Sequence, residues 1–309
     1  MNVPIFLICS SNSERRALAE YKKTKLKAKQ TITIMIKRRD ENMESSANKK
    51  QITMWVLCTW VLTWFMALPT LAVLKLFGNG IIYLLVYALA SWSPTFALWM
   101  LFKKLYPGTT IKAFYKNAFS QRLNWKLISC ITGIQLLIFI ASIGIVSTTR
   151  EGPLLNLSAA SIGYCLFTAI TQGALGEESG WRGFLLPTLQ KKYNLVQSSL
   201  IVGVIWWIWH MPIMVFASEH AGWAWVHYAA IFLLFCTAMS IVIALCYRHC
   251  RNLFVPIWIH FVFNVTIPTF VDFNNGAGEL MLLTIITAFY TLAAVGYTIW
   301  YKKCSIKTV

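Results

Sequence analysis

Gly176-Glu177-Glu178-Ser179-Gly180-Trp181-Arg182-Gly183 is the stretch on which the reading of this chain turns. It sets two carboxylates and a guanidinium at the end of a long apolar run. Beyond residue 50 the chain holds only six acidic residues: Glu151, Glu177, Glu178, Glu219, Asp272 and Glu279. Charges among apolar runs are expensive and mark function.

The surrounding composition decides the class. Of 309 residues, 57% are hydrophobic and only 13% charged, against about 25% charged in a soluble globular protein. Mean hydropathy is +0.59. These values exclude a soluble protein and predict an all-α, polytopic membrane helix bundle. Eight hydrophobic segments lie near 52–74, 79–102, 126–147, 158–178, 198–217, 224–247, 253–271 and 279–301. Each is long enough to cross a hydrocarbon core of ~30 Å as a helix, the form in which an apolar segment satisfies its own backbone.

Charge placement supports that count and excludes nucleic acid as a partner. The net charge of +17 divides between residues 1–50, with twelve Lys/Arg against five Asp/Glu, and the remainder, with sixteen against six. In the remainder the basic residues sit in breaks or near helix ends. The breaks alternate between basic ones (Lys103 to Lys126; Arg182, Lys191 and Lys192; Arg248 and Arg251) and neutral or acidic ones (Arg150 with Glu151; Glu219; Asp272 and Glu279). The bias of basic residues toward the cytoplasm then puts both termini in the cytosol and the chain in the plasma membrane. Residues 1–50 read as a basic, disordered cytosolic tail touching anionic lipid, and 51–309 as the transmembrane domain. The eight cysteines are scattered, with no C-x-x-C pair, and read as buried free thiols.

Three segments carry polar residues. In the fourth, Gly173, Gly176, Gly180 and Gly183 recur in steps of three and four, a stripe that lets another helix approach closely. Glu178 and Arg182 are i and i+4 on a helix and meet as a structural pair, while Glu177 points about 100° away and lacks a local partner. A carboxylate in a low-dielectric site has a raised proton affinity, which suits a general base near neutral pH. The fifth segment holds Trp206-Trp207-Ile208-Trp209-His210-Met211-Pro212, and the seventh His260-Phe261-Val262-Phe263-Asn264, with His260 and Asn264 on one face. Each feature alone also has a structural reading: an ion pair at a helix end, a hydrogen-bonded core histidine, interhelical glue. Together they supply a Glu and a His that can activate water, and a His and an Asn that can hold an oxyanion. His220, His227 and His249 carry no assigned chemistry.

In this order and in membrane helices, Glu177-Glu178-x-x-x-Arg182, Trp206-x-x-x-His210 and His260-x-x-x-Asn264 resemble the CPBP family of intramembrane proteases. That family includes the CAAX prenyl proteases and the bacteriocin-processing and immunity proteins. The resemblance covers roughly residues 160–270, and the contexts GEESGWRGFLLPTLQ and WWIWHMP are similar to its bacterial branch. Trp206 stands where Phe is common, read as a tolerated aromatic exchange. The resemblance implies an intramembrane endopeptidase cutting a peptide or membrane-protein substrate near the cytosolic face. Glu177 and His210 would activate water, His260 and Asn264 would stabilise the oxyanion, and Glu178 and Arg182 would support the site. It implies no cofactor, with Zn²⁺ on Glu177, His210 and His260 as the alternative. A non-catalytic immunity or adaptor protein using the same polar core structurally is the competing reading, and a proton-coupled transporter ranks below it.

Overall fold

A computed structural model describes residues 12–78, 80–149, 154–155, 159–216, 218, 220–266, 271–272 and 276–306. Arg150, Glu151 and Glu219, used to assign loop charge, lie outside the described residues. The chain divides into two units, Met1–Lys50 and Gln51–Val309.

The order of helices is α1 (Asn12–Phe77), α2 (Ile81–Ser91), α3 (Ser93–Met100), α4 (Phe102–Leu105), α5 (Ile111–Ala118), α6 (Trp125–Val146), α7 (Ala159–Ala169), α8 (Leu175–Gly180), α9 (Leu186–Leu189), α10 (Leu195–Trp209), α11 (Met211–Phe216), α12 (Gly222–Cys250), α13 (Phe254–Thr266) and α14 (Gly276–Ile306). In the first unit the backbone is helical from Asn12, where the sequence reading expects disordered chain. The local cause is composition: no Gly or Pro occurs between Asn12 and Leu68, and Lys, Arg, Glu and Ala favour helix.

Each predicted segment contains helix among the described residues, but the segments are not equal. Ser45–Phe77, Trp125–Val146, Gly222–Cys250 and Gly278–Lys303 are each long and apolar enough to cross a membrane. The pair α2 and α3, bent by 48° at Trp92, makes a fifth as a broken span. The helices α10 and α13 are shorter, about 22 and 20 Å at 1.5 Å per residue. Among the described residues, four to five spans by length and composition therefore stand against the eight expected.

Two differences bear on the site. First, the helix expected at 158–178 continues to 189, with wider π-helical turns at Ile170–Ala174 and Trp181–Leu185. Glu177 lies well inside this run, because Trp181, Phe184, Leu185 and Leu186 beyond it are buried. Second, the segment expected at 198–217 breaks at His210. Pro212 has no N–H for the Ile208 carbonyl, so α10 ends at Trp209 and α11 starts anew. The entry to α10 is fixed by a reciprocal cap between Asn194 and Gln197.

Small residues draw the helices together around 159–189. A Cβ on Gly176 would strike the Trp92 indole, one on Gly180 would meet Trp55 and Pro94, and one on Gly183 would press on Phe114. On the other side Gly203 lets α10 approach the α12 backbone, where a Cβ would lie 2.6 Å from Thr237 Cα. Outward-facing Phe65, Leu137, Ile140 and Leu292 are exposed, as lipid contact requires. Cys130 is exposed and Cys58 half-buried, whereas Cys236, Cys246 and Cys250 are buried as expected.

Candidate active site

The two adjacent glutamates of α8 are both buried and have separate partners. Glu178 Oε1 accepts from Arg182 Nη1 at 2.7 Å and faces His260 Nδ1 at 2.8 Å. The first contact is the i,i+4 pair expected from helical spacing. The second ties α8 to α13 and fixes how the His260 ring is turned. The Arg182 guanidinium also lies over the Trp206 ring, 4.9 Å from its centre. Glu178 Oε2 and Arg182 Nε and Nη2 are buried without a partner among the described residues.

Glu177 is not left alone, as spacing suggested. Its Oε2 accepts from Trp181 Nε1 at 3.0 Å and from Trp206 Nε1 at 2.6 Å. Trp181 follows Glu177 by four residues, so this partner was visible in the spacing; a search restricted to opposite charges passes over an indole donor. Nothing in the sequence announces Trp206 as the second donor, because it comes from another helix.

The other carboxylate oxygen looks elsewhere. A Cβ placed on Gly173 would clash with Asn264 Nδ2, and would lie 3.3 Å from His260 Nε2 and 3.4 Å from Glu177 Oε1. Three polar atoms from two helices therefore surround one point beside Gly173. That point exists because residue 173 has no side chain. Gly173 sits in the first π-helical turn with φ +153°, a backbone conformation that other L-residues avoid. π-turns recur at functional sites. The stripe reading of the glycines holds for Gly176, Gly180 and Gly183, whereas Gly173 faces the polar cluster.

His210 reaches the cluster through Trp206. Its Nδ1 lies 2.8 Å from the Trp206 carbonyl oxygen. A donated Nδ1–H leaves the lone pair on Nε2. Trp209 and Phe232 pack its ring edge-on at 4.6 and 5.0 Å. The structure thus gathers Glu177, His260 and Asn264 at one point and links His210 to Glu177 by one residue, with Glu178 and Arg182 behind His260.

The donor set for zinc does not gather in the same way. Glu177, His210 and His260 each retain one free donor atom. Among the described residues, however, no three His, Cys, Asp or Glu side chains are grouped as one metal ion needs. Cys246, His249 and Cys250, close in the sequence, form no such group either.

All of these residues lie within 156–266, the span that matches the family model described as Type II CAAX prenyl endopeptidase Rce1-like. A CAAX prenyl protease 2 of Methanococcus maripaludis is 29% identical over 93 residues, 29% of this chain and 34% of that protein. The chain thus matches about a third of that relative's length.

Proposed function

We propose that this chain, whose residues 156–266 match the family model of Type II CAAX prenyl endopeptidase Rce1-like proteins, is an intramembrane endopeptidase in which a glutamate activates water. The observation that carries this reading is the convergence of Glu177 Oε1, His260 Nε2 and Asn264 Nδ2 on one point beside Gly173. A scissile carbonyl brought to this cluster would meet a base in Glu177 and two nitrogen groups in His260 and Asn264.

Glu177 Oε1 takes a proton from water, and the water oxygen attacks the carbonyl carbon. Negative charge moves to the carbonyl oxygen, where the Asn264 amide N–H supports it. His260 joins it from Nε2 when the ring carries both protons, with the Glu178 carboxylate at Nδ1 as counter-ion. Collapse of the tetrahedral intermediate breaks the C–N bond, and the proton held by Glu177 passes to the leaving amine. His210 Nε2 is the second proton acceptor. The reaction is read as metal-free and the substrate as a peptide presented at the membrane, a prenylated C-terminal peptide being the class named for the relative.

The test is comparative. Peptidomes of cells carrying wild-type protein and Glu177→Gln are compared, and purified protein in liposomes is assayed on a fluorogenic farnesylated CAAX peptide. Cleavage by the wild type, none by Glu177→Gln, and unchanged rates with 1,10-phenanthroline are expected. An active Glu177→Gln would overturn the mechanism. Identical peptidomes with a retained biological effect would favour the non-catalytic reading.

A further inference from the structure

Trp206, to which the resemblance assigns no role, touches four members of the polar cluster: Glu177, Arg182, His210 and His260. Its indole N–H donates to Glu177 Oε2 at 2.6 Å. Its ring lies under the Arg182 guanidinium at 4.9 Å and stands edge-on to His260 at 5.2 Å. Its carbonyl oxygen lies 2.8 Å from His210 Nδ1. It is buried, so water does not compete for the N–H.

The two oxygens of a free carboxylate are equivalent, and the last torsion of Glu is broad and roughly two-fold. Nothing intrinsic to Glu177 decides which oxygen faces the water. The indole N–H groups of Trp181 and Trp206 both fall on Oε2. We infer that Trp206 is a positioning residue: its N–H, with that of Trp181, holds Oε2 and thereby fixes Oε1 as the oxygen facing His260 and Asn264. Because its own carbonyl sets the His210 ring, the same residue keeps both proton acceptors in register. Phe at this position fills the space but supplies no donor, so the exchange read as tolerated in the sequence alters how the base is held. The inference rests on the proposed function, since it assigns a role only if Glu177 is the base.

The decisive variants remove the N–H with and without the ring shape. Trp206→Phe is compared with protein carrying 3-benzothienylalanine at 206, which keeps the bicyclic ring and places sulfur where the N–H was. Both are reconstituted in liposomes and assayed on the farnesylated CAAX peptide beside wild type and Glu177→Gln. A hydrogen bond to a charged group corresponds to about tenfold to a hundredfold in rate. Both variants are expected to lose kcat by about that factor with KM within about twofold, and the benzothienyl protein to melt with the wild type. Wild-type kcat in the benzothienyl protein would overturn the inference and leave packing as the role of Trp206. So would a raised KM at unchanged kcat. Failure of the premise is separate: a wild type that leaves the peptide intact, or a Glu177→Gln that cleaves it, overturns the site reading and this inference with it.

Discussion

Gly173 is the residue whose smallness has the most direct consequence. Ala at 173 would drive a methyl group into Asn264 Nδ2 and toward His260 Nε2 and Glu177 Oε1. It would also hold φ +153°, which a non-glycine residue adopts only under strain of about 1–3 kcal/mol. Gly173→Ala is expected to abolish measurable peptide cleavage and to lower the unfolding midpoint in detergent by a few degrees. A variant with full kcat would show that the point beside Gly173 is not where the peptide bond sits. The Glu178 and Arg182 pair makes a different prediction. Removing one partner strands a buried charge, at about 3–5 kcal/mol, whereas replacing both by apolar residues of similar volume is often neutral. Arg182→Met is therefore expected to destabilise strongly, and Glu178→Leu with Arg182→Met to regain most of that stability, as read by thermal unfolding. The double variant should still not cleave, because His260 Nδ1 loses its Glu178 carboxylate partner at 2.8 Å. At this scale the i,i+4 pairs Glu178–Arg182 and Glu177–Trp181 were both written in the spacing, while the second donor on Glu177 and the partner of His260 were not.

At the scale of elements, two irregular turns set the register of the central helix. Trp92 Nε1 donates to the Thr171 carbonyl inside the first π-turn at 2.8 Å, and the Tyr106 hydroxyl donates to the Gly183 carbonyl inside the second at 3.0 Å. A turn wider than 3.6 residues skips a rung of the backbone ladder, and side-chain donors from neighbouring elements occupy carbonyls there. Periodicity in the sequence assumes an unbroken helix, so it placed Gly173 in line with the packing glycines and ended the segment at Glu178. The packing of α10 on α12 is the other element-level constraint. Gly203 lies one turn before Trp206 and Trp207, and a Cβ there would meet Thr237 Cα at 2.6 Å and the Cys236 carbonyl at 2.9 Å. Gly203→Val is expected to lower stability by about 1–3 kcal/mol. It should also reduce cleavage by more than that stability loss explains, because backing α10 away lengthens the 2.6 Å Trp206–Glu177 bond. Unfolding curves and kcat measured on the same preparation distinguish the two effects.

For the whole molecule, the question is how the connecting segments are distributed between the two sides. Leu253 N donates to the Ala118 carbonyl at 2.8 Å, and Asn252 Nδ2 to the Phe119 and Gln121 carbonyls, which joins the break after α5 to the break after α12. Leu154–Leu155 pairs antiparallel with Val271–Asp272, which joins the break before α7 to the break after α13. The alternation of loop charge predicts that the first two breaks lie in the cytosol and the second two outside. In a background lacking native cysteines, Lys116→Cys and Arg251→Cys should be labelled from the same side by an impermeant maleimide, and Glu279→Cys from the opposite side; labelling of all three from one side would end the alternating assignment. Amino-acid composition and apolar run length by themselves determined a helical membrane protein, because a continuous apolar run of about 20 residues satisfies its backbone within itself only as a helix. Spacing determined the pairs within one helix, because 3.6 residues per turn brings i and i+4 together. The tertiary structure alone decided which oxygen of Glu177 is held, which carboxylate orients His260, and that Gly173 opens the point between them. Each of these depends on contacts between helices far apart in the chain, or on a π-turn that no regular period encodes.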